Sequence, residues 1–271
     1  MEIGASLAQL ELFASDPQKL SAFYASTFCL QTARDGDAMV CSSPGREVVL
    51  MPGEGGQLHR ASFRFRAKTM FDAHRVTLLR RGVELVEHAD EHFTLRDPEG
   101  RLITFRAPAP TLRLDADERL QARLQHFGVR TPSPEPLLDF YLDTVGFVLS
   151  DRVLDDDGNL TAAFLRTDSE HHSMAIFRAP MVRFDHFSCE APNWERLRDW
   201  ADHMAGVGVD LAWGIGRHGP GNDTFLMVQD MDGNMGEISS DLEVCAPDRP
   251  SGVWPHRQQT LNQWGVAIMR S

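Results

Sequence analysis

Three residues in this chain have the chemistry of a metal site, and each sits in a short strand-like run. His126 lies in Leu124-Gln125-His126-Phe127-Gly128-Val129, and His186 in Phe184-Asp185-His186-Phe187-Ser188-Cys189. Glu237 follows the turn Asp230-Met231-Asp232-Gly233-Asn234, in the run Met235-Gly236-Glu237-Ile238. Two neutral imidazoles and one carboxylate bind a divalent metal on one face and leave the opposite positions open, the ligand set of non-haem Fe(II) oxygenases. A lone histidine on an apolar strand is more often a satisfied core residue. Three ligand-type residues in register across a repeat support the ligand reading instead.

That repeat is what must position them. The chain reads as four copies of one unit. Unit one spans 7–51, with a strand over 10–13 and a helix that places Leu20, Phe23, Tyr24 and Thr27 on one side. Unit three repeats it, with a strand over 127–129 and Leu137, Phe140, Tyr141 and Val145 on a helix that closes at Gly146-Phe147. Units two and four match each other. The spacing predicts helices over 70–81 and 194–207, ending at Gly82-Val83-Glu84-Leu85 and Gly208-Val209-Asp210-Leu211. Each is followed by a turn before a last strand, Asp97-Pro98-Glu99-Gly100 and Asp230-Met231-Asp232-Gly233, where Asp and Gly suit a tight reversal.

The expected fold class is therefore α+β. Four β-α-β-β-β modules pair into two domains, each a cupped mixed sheet with its helices outside. The first strands of paired modules lie at the centre of each cup, where alternate residues point inward. The expected boundary follows Ala107-Pro108-Ala109-Pro110, dividing the chain into residues 1–110 and 111–271. Aligned on the repeat, Gln9, Arg60 and Thr104 stand in the first half where His126, His186 and Glu237 stand in the second, with His59 one residue off. Only the second domain is expected to hold metal.

Composition excludes some partners. Of 271 residues 42% are hydrophobic and 24% charged, as in a globular protein. The net charge of −12 argues against a nucleic-acid or anionic-membrane surface. No apolar run reaches membrane-spanning length, and Met1-Glu2-Ile3-Gly4 lacks a signal-peptide layout, so a cytoplasmic location is expected. Cys29, Cys41, Cys189 and Cys245 are scattered without C-x-x-C spacing and are expected as reduced thiols, which leaves the sequons at Asn159 and Asn222 without meaning.

From 7 to the tail Leu261-Asn262-Gln263-Trp264-Gly265, the chain resembles the two-domain type I extradiol ring-cleavage dioxygenases of the vicinal oxygen chelate (glyoxalase/bleomycin resistance/dioxygenase) superfamily. The resemblance implies Fe(II) on the triad, with Mn(II) as the alternative ion. It also implies an aromatic substrate with two vicinal oxygens, dioxygen, and a homo-oligomer. Glu170-His171-His172-Ser173-Met174-Ala175-Ile176 resembles the segment of the acid–base histidine, and its His-x-x-Ala spacing assigns that role to His172. Strand alternation agrees that His171 faces away. Gly216-Arg217-His218 resembles the loop whose histidine contacts substrate oxygens, which makes His218 both a catalytic and a substrate-binding candidate.

One position departs from the family pattern. A tyrosine that bonds the bound hydroxyl is usual ten residues before the glutamate ligand, and here that position is Met227. Leu226 and Val228 offer no substitute donor, and the two tyrosines, Tyr24 and Tyr141, sit on core-facing helix positions. Met227 is therefore expected as an apolar substrate contact. The implied activity is cleavage of an aromatic diol, or a related oxygen-chelating ring, with O2. Two alternatives keep the fold. One is a metal-dependent glyoxalase-like isomerase or thiol transferase, which has no need of the His172/His218 pair. The other is a small-molecule (drug) binding protein without metal, against which the complete triad speaks.

Other motifs fail on context. The G-x-G-x-x-G match at 214–219 is followed by an expected strand over 224–228, not by the helix of a dinucleotide site. The H-x-x-E-H match at 88–92 lies between strand segments, so a hairpin is expected. Asp155-Asp156-Asp157-Gly158-Asn159 lacks the glycine and glutamate that a calcium loop needs, with Leu160 and Arg166 in their places. Trp194, Trp200 and Trp213 are expected as packing residues. Trp254 and Trp264 are expected over the site's mouth or at a subunit contact.

Overall fold

The computed structural model describes residues 2–110 and 119–269. Its elements follow the repeat. Module one is β1 (Ala5–Ala14), α1 (Pro17–Phe28), β2 (Gln31–Asp35), β3 (Ala38–Ser43) and β4 (Arg46–Pro52). Module two is β5 (Gln57–Phe65), α2 (Lys68–Arg80), β6 (Glu87–His88), β7 (His92–Arg96) and β8 (Leu102–Arg106). Module three is β9 (Arg123–Thr131), α3 (Pro134–Asp139, continuing as π-helix over Phe140–Val145), β10 (Val148–Leu154), β11 (Leu160–Arg166) and β12 (Met174–Arg178). Module four is β13 (Arg183–Glu190), α4 (Trp194–Gly206), β14 (Trp213–Arg217), β15 (Thr224–Gln229) and β16 (Met235–Ser240). A tail adds β17 (Gly252–Pro255) and α5 (Gln258–Leu261). The expected boundary between residues 110 and 111 abuts 111–118, which lie outside the described residues.

The eight-stranded first sheet runs β2-β3-β4-β1-β5-β8-β7-β6, and the nine-stranded second runs β14-β15-β16-β13-β9-β12-β11-β10-β17. Both are mixed, and the first strands of paired modules, β1 with β5 and β13 with β9, are central and antiparallel. This is the expected α+β architecture. Strand alternation divides the residues as the period of two requires: Phe127, Val129, Phe187 and Cys189 enter the main core, while the intervening His126, Gly128, His186 and Ser188 remain for the cup.

Local chemistry explains the helix starts. Asp16 accepts the Lys19 amide at 3.0 Å before Pro17, and Asn193 accepts the Arg196 amide at 3.0 Å. The helix of module three widens where Gly146 and Phe147 both donate to the Tyr141 carbonyl at 2.9 Å. The Asp143 and Thr144 carbonyls there accept Arg81 Nη1 from the first half of the chain, a long-range contact invisible to local spacing. The doubtful motifs resolve as expected. Ala89 donates to the His92 carbonyl in a tight β6–β7 turn. The 155–159 segment is a turn closed by Asp155 Oδ1 on the Asn159 amide at 2.8 Å.

The two halves are held by a reciprocal clasp. Each last turn is an Asx turn: Asp97 Oδ1 accepts the amides of Glu99 and Arg101, and Asp230 Oδ1 those of Asp232 and Asn234, all at 2.9 Å. Gly100 (φ 92°) and Gly233 (φ 78°) take the left-handed conformation that the reversal demands. The second oxygen of each aspartate reaches the other half. Tyr24 of α1 donates to Asp230 Oδ2 at 2.8 Å, and Tyr141 donates to Asp97 Oδ2 at 3.1 Å. Neither tyrosine ring has any exposed surface. Tyr24 also packs edge-on against Phe187 at 5.5 Å, joining α1 to the strand that carries His186.

A buried hydrogen bond to a charged partner is worth about 1.5–3 kcal/mol. Tyr24→Phe should lower unfolding free energy by about that amount in denaturant titration, with the secondary structure intact. An unchanged midpoint would make the clasp a by-product of packing rather than a support.

Candidate functional site

The three ligand-type residues converge because three neighbouring strands share one register position. Ser188 in β13 pairs with His126 in antiparallel β9 on one side and with Glu237 in parallel β16 on the other. His186 precedes Ser188 by two residues and so projects from the same face. One ligand atom each from His126, His186 and Glu237 lies within 4.8 Å of the others, and all three residues are buried. His126 Nε2 is 3.9 Å from Glu237 Oε1, and the two imidazole rings stand nearly perpendicular, 5.3 Å apart.

Their surroundings suit ligation. The His186 Nδ1–H donates to Asp185 Oδ1 at 2.6 Å, and Asp185 Oδ2 accepts Arg130 Nε at 2.5 Å. This fixes the ring and leaves its other nitrogen as the donor atom, the support that metal-bound histidines ordinarily have. Ser188 Oγ donates to Glu237 Oε1 at 3.2 Å. Burial first, and the neighbouring imidazoles second, push His126 well below the ordinary imidazole range, so its lone pairs are available at neutral pH. Gly128 opposes His186 across β9 and β13. A Cβ there would stand 2.5 Å from His186 Cε1, so glycine is what lets the ring lie over the strand.

The triad lines a recess together with His172, His218, Met227, Phe164, Phe177 and Trp213. His172 is buried on its wall, 4.1 Å from the His126 ring, and burial also drives its imidazole well below the usual range. His171 lies behind it, with its Nδ1 3.0 Å from His172 Nδ1. His218 follows β14, and its Nδ1–H donates to the Leu261 carbonyl at 2.6 Å. It also stacks on Phe225 at 3.8 Å. Met227 lies directly across from Glu237 in the β15–β16 pair, whereas Leu226 and Val228 belong to the opposite, core face.

Trp200 and Trp213 pack as expected, whereas Trp194 does not. Trp200 is core and donates to the Gln121 carbonyl. Trp213 lines the recess, because the tail carbonyl of Val266 draws its indole N–H at 2.8 Å. Trp194 is 40% exposed and meets Trp264 edge-on. Trp254 donates to Asp151 Oδ2 at 2.7 Å.

Two carboxylates escaped the sequence reading. Asp185 could have been noticed from its place beside His186. Asp223 closes the loop after His218 and is fully buried, with neither carboxylate oxygen hydrogen-bonded among the described residues. Burial pushes its carboxyl up to about 8. It groups with His218 and Glu237 within 4.8 Å.

In the first cup the register places Gln9 and Thr104 opposite Ser62, with Arg60 two residues before it. These are the counterparts of the triad, as the repeat implied. Arg60 fills that cup, donating to Thr104 and Glu87 at 2.7 Å and to Glu11 at 3.2 Å.

Residues 123–238 match the family model described as the Glyoxalase/Bleomycin resistance protein/Dioxygenase superfamily. That segment carries the superfamily's sequence pattern. Metapyrocatechase 2 of Cupriavidus necator is 31% identical over 154 residues, 55% of this chain and 46% of that protein, so the chain spans about half of that relative's length. Among solved structures, a Mn(II)-bound glyoxalase from Novosphingobium aromaticivorans is similar with a TM-score of 0.83 at 22% identity, covering 100% of this chain and 93% of that one. Homoprotocatechuate 2,3-dioxygenase from Brevibacterium fuscum, solved with 3,4-dihydroxyphenylacetate, is similar with a TM-score of 0.80 at 23% identity, over 99% and 91% of the two chains. The likeness in fold to these structures extends over both halves.

Gly128→Ala should displace the His186 ring and weaken divalent-metal binding, read by calorimetric titration, by about the 10–100-fold typical when a ligand's support is disturbed. Wild-type affinity in a folded Gly128→Ala protein would take His186 out of the ligand set.

Proposed function

We propose that the protein is an Fe(II)-dependent extradiol-type dioxygenase that opens an uncharged aromatic diol with O2. The observation that carries this reading is the convergence of His126, His186 and Glu237 on a recess whose walls hold His172 and His218. Buried neutral imidazoles beside a buried carboxylate fit a divalent ion, with Mn(II) the alternative. Bound there, the ion would supply positions for two vicinal oxygens and for dioxygen, and the electron exchange between them.

The chain's own residues do the rest. His172, neutral and water-excluded, can take a proton from a diol hydroxyl and return it later; such assistance contributes roughly a hundredfold to ten-thousandfold. His218, its ring oriented by the Leu261 carbonyl, stands on the recess wall where it can contact a substrate oxygen. Phe164, Phe177, Trp213 and Met227 give an aromatic ring apolar walls, and among the described residues the lining includes no lysine or arginine to hold a substrate carboxylate.

A second reading, a glyoxalase-like isomerase, draws on the likeness to the Mn(II)-bound glyoxalase. Oxygen consumption separates the two. Loaded anaerobically, the chain should bind about one Fe(II), as a single triad requires. It should then consume O2 with at least one member of a panel of alkyl- and aryl-substituted catechols. His126→Ala, His186→Ala and Glu237→Ala should each abolish both properties. Iron-loaded protein that isomerises hemithioacetals and consumes no oxygen with any diol would establish the second reading.

Met227 gives a sharper test. Its thioether donates no hydrogen bond, so the substrate oxygen nearest it meets an apolar wall. A lost donor to a partly charged oxygen costs on the order of 1.5–3 kcal/mol, or one to two decades in rate. Unsubstituted catechol should therefore be a poor substrate, and Met227→Tyr should raise its turnover. Ordinary rates on catechol, with no gain in the variant, would discard this account of specificity.

A further inference from the structure

Behind His172 on the recess wall lie two buried groups, His171 and Asp151, that the proposed function does not use. His172 Nδ1 lies 3.0 Å from His171 Nδ1, and His171 Nε2 lies 3.1 Å from Asp151 Oδ2. None of the three side chains is more than slightly exposed. Asp151 Oδ1 accepts Arg249 Nη1 at 3.0 Å and the Gly252 amide at 2.9 Å, and Oδ2 accepts the Trp254 indole N–H at 2.7 Å. Gly252 and Trp254 belong to β17, which pairs with the strand carrying Asp151.

We propose that His171 and Asp151 are positioning residues that hold the proton of neutral His172 on Nδ1, leaving Nε2 as the bare nitrogen offered to the recess. The inference rests on the reading of His172 as the proton carrier.

The argument is one of donors and acceptors. Arg249, the Gly252 amide and the Trp254 indole can only donate, so Asp151 must accept from all of them, which an ionised carboxylate does best. Burial alone would raise that carboxyl, but the bonds from His171, Arg249 and Trp254 hold it below the ordinary range. The negative charge of Asp151, 3.1 Å away, favours the His171 tautomer with its proton on Nε2. With one ring proton, and that on Nε2, His171 has a lone pair at Nδ1 and can only accept there. The facing Nδ1 of His172 must therefore donate, and a neutral imidazole with its proton on Nδ1 has none on Nε2. Were a substrate O–H bond to break toward Nε2, an Nε2–H bond would form. The Nδ1 proton could then shift toward His171, moving the positive charge next to Asp151 with no proton gained or lost overall.

The test is ¹⁵N NMR of the imidazoles in the metal-free full chain, with His172 assigned by its absence in His172→Phe. Wild type should show the Nδ1–H tautomer at His172. His171→Phe should lose it, and His171→Asn, whose amide oxygen can accept from the same side, should retain it. In the iron-loaded enzyme, His171→Phe should lower kcat at least tenfold with KM little changed, and His171→Asn should recover most of the loss. An Nε2–H tautomer at His172 in wild type overturns the proposal outright, even if His171→Phe does not fold. So does an unchanged tautomer in His171→Phe. The NMR arm needs no turnover. A chain with the expected tautomers but no oxygenase activity would refute the proposed function and leave the positioning assignment standing.

Discussion

The arrangement at the recess depends on where β16 lies along β13, and that depends on the clasp between Tyr24 and Asp230. The Asx turn at 230–234 delivers the chain into Met235, the first residue of β16. A slip of one residue there would turn Glu237 into the core and put Gly236 or Ile238 in its place, because strand side chains alternate. The tyrosine tethers the turn from the other half of the molecule, and Tyr141 does the same for the turn that feeds β8. Each half thus sets the register of the other's last strand. The helix that carries Tyr24 has no atom in the recess, yet it constrains the position of the carboxylate there.

The two cups answer one electrostatic problem in different ways. Polar and charged groups withdrawn from water must be matched within the protein. In the first cup Arg60 supplies the positive charge itself, held by Glu11, Glu87 and Thr104. At the corresponding register positions the second cup has His186 for the arginine and Glu237 for the threonine, an arrangement with donor atoms and no internal cation. Replacing an arginine by a histidine converts a filled cup into one able to receive an ion. The first cup cannot receive one while the guanidinium occupies its centre.

Much of this was legible because it repeats. Four helices with matched apolar faces and two Asp-x-x-Gly turns defined the modules, and the alignment of Gln9, Arg60 and Thr104 with the triad agrees with the strand register. Strand limits were less legible. The strand expected over 10–13 extends over Ala5–Ala14, because its length is set by pairing with β4 and β5 rather than by local composition. The strand β17 gave no signal of its own, since it forms only against β10, about a hundred residues earlier. Asp151 and Asp223 were unremarkable as single acids; their weight comes from burial and from partners distant in the chain. Trp213 is the packing residue its sequence context implied, and its bond to the Val266 carbonyl, which local spacing does not reveal, also places it on the recess wall.

The tail has a larger share in the site than its short elements suggest. The three ligand-type residues, His172 and His218 all fall within 123–238, the segment that matches the superfamily. The tail lies beyond that segment, yet it bonds to groups on and behind the recess wall. The Leu261 carbonyl holds His218, Thr260 accepts the Gly219 amide, Val266 holds Trp213, and Trp254 holds Asp151 behind His172. Three of these four contacts use backbone carbonyls, which recognise a path of the chain rather than particular side chains. The superfamily segment accounts for the donor chemistry. Residues 252–269 orient several of the groups that surround it, so on the proposed function differences in substrate preference are to be sought in the course of the tail as much as in the strands of the cup.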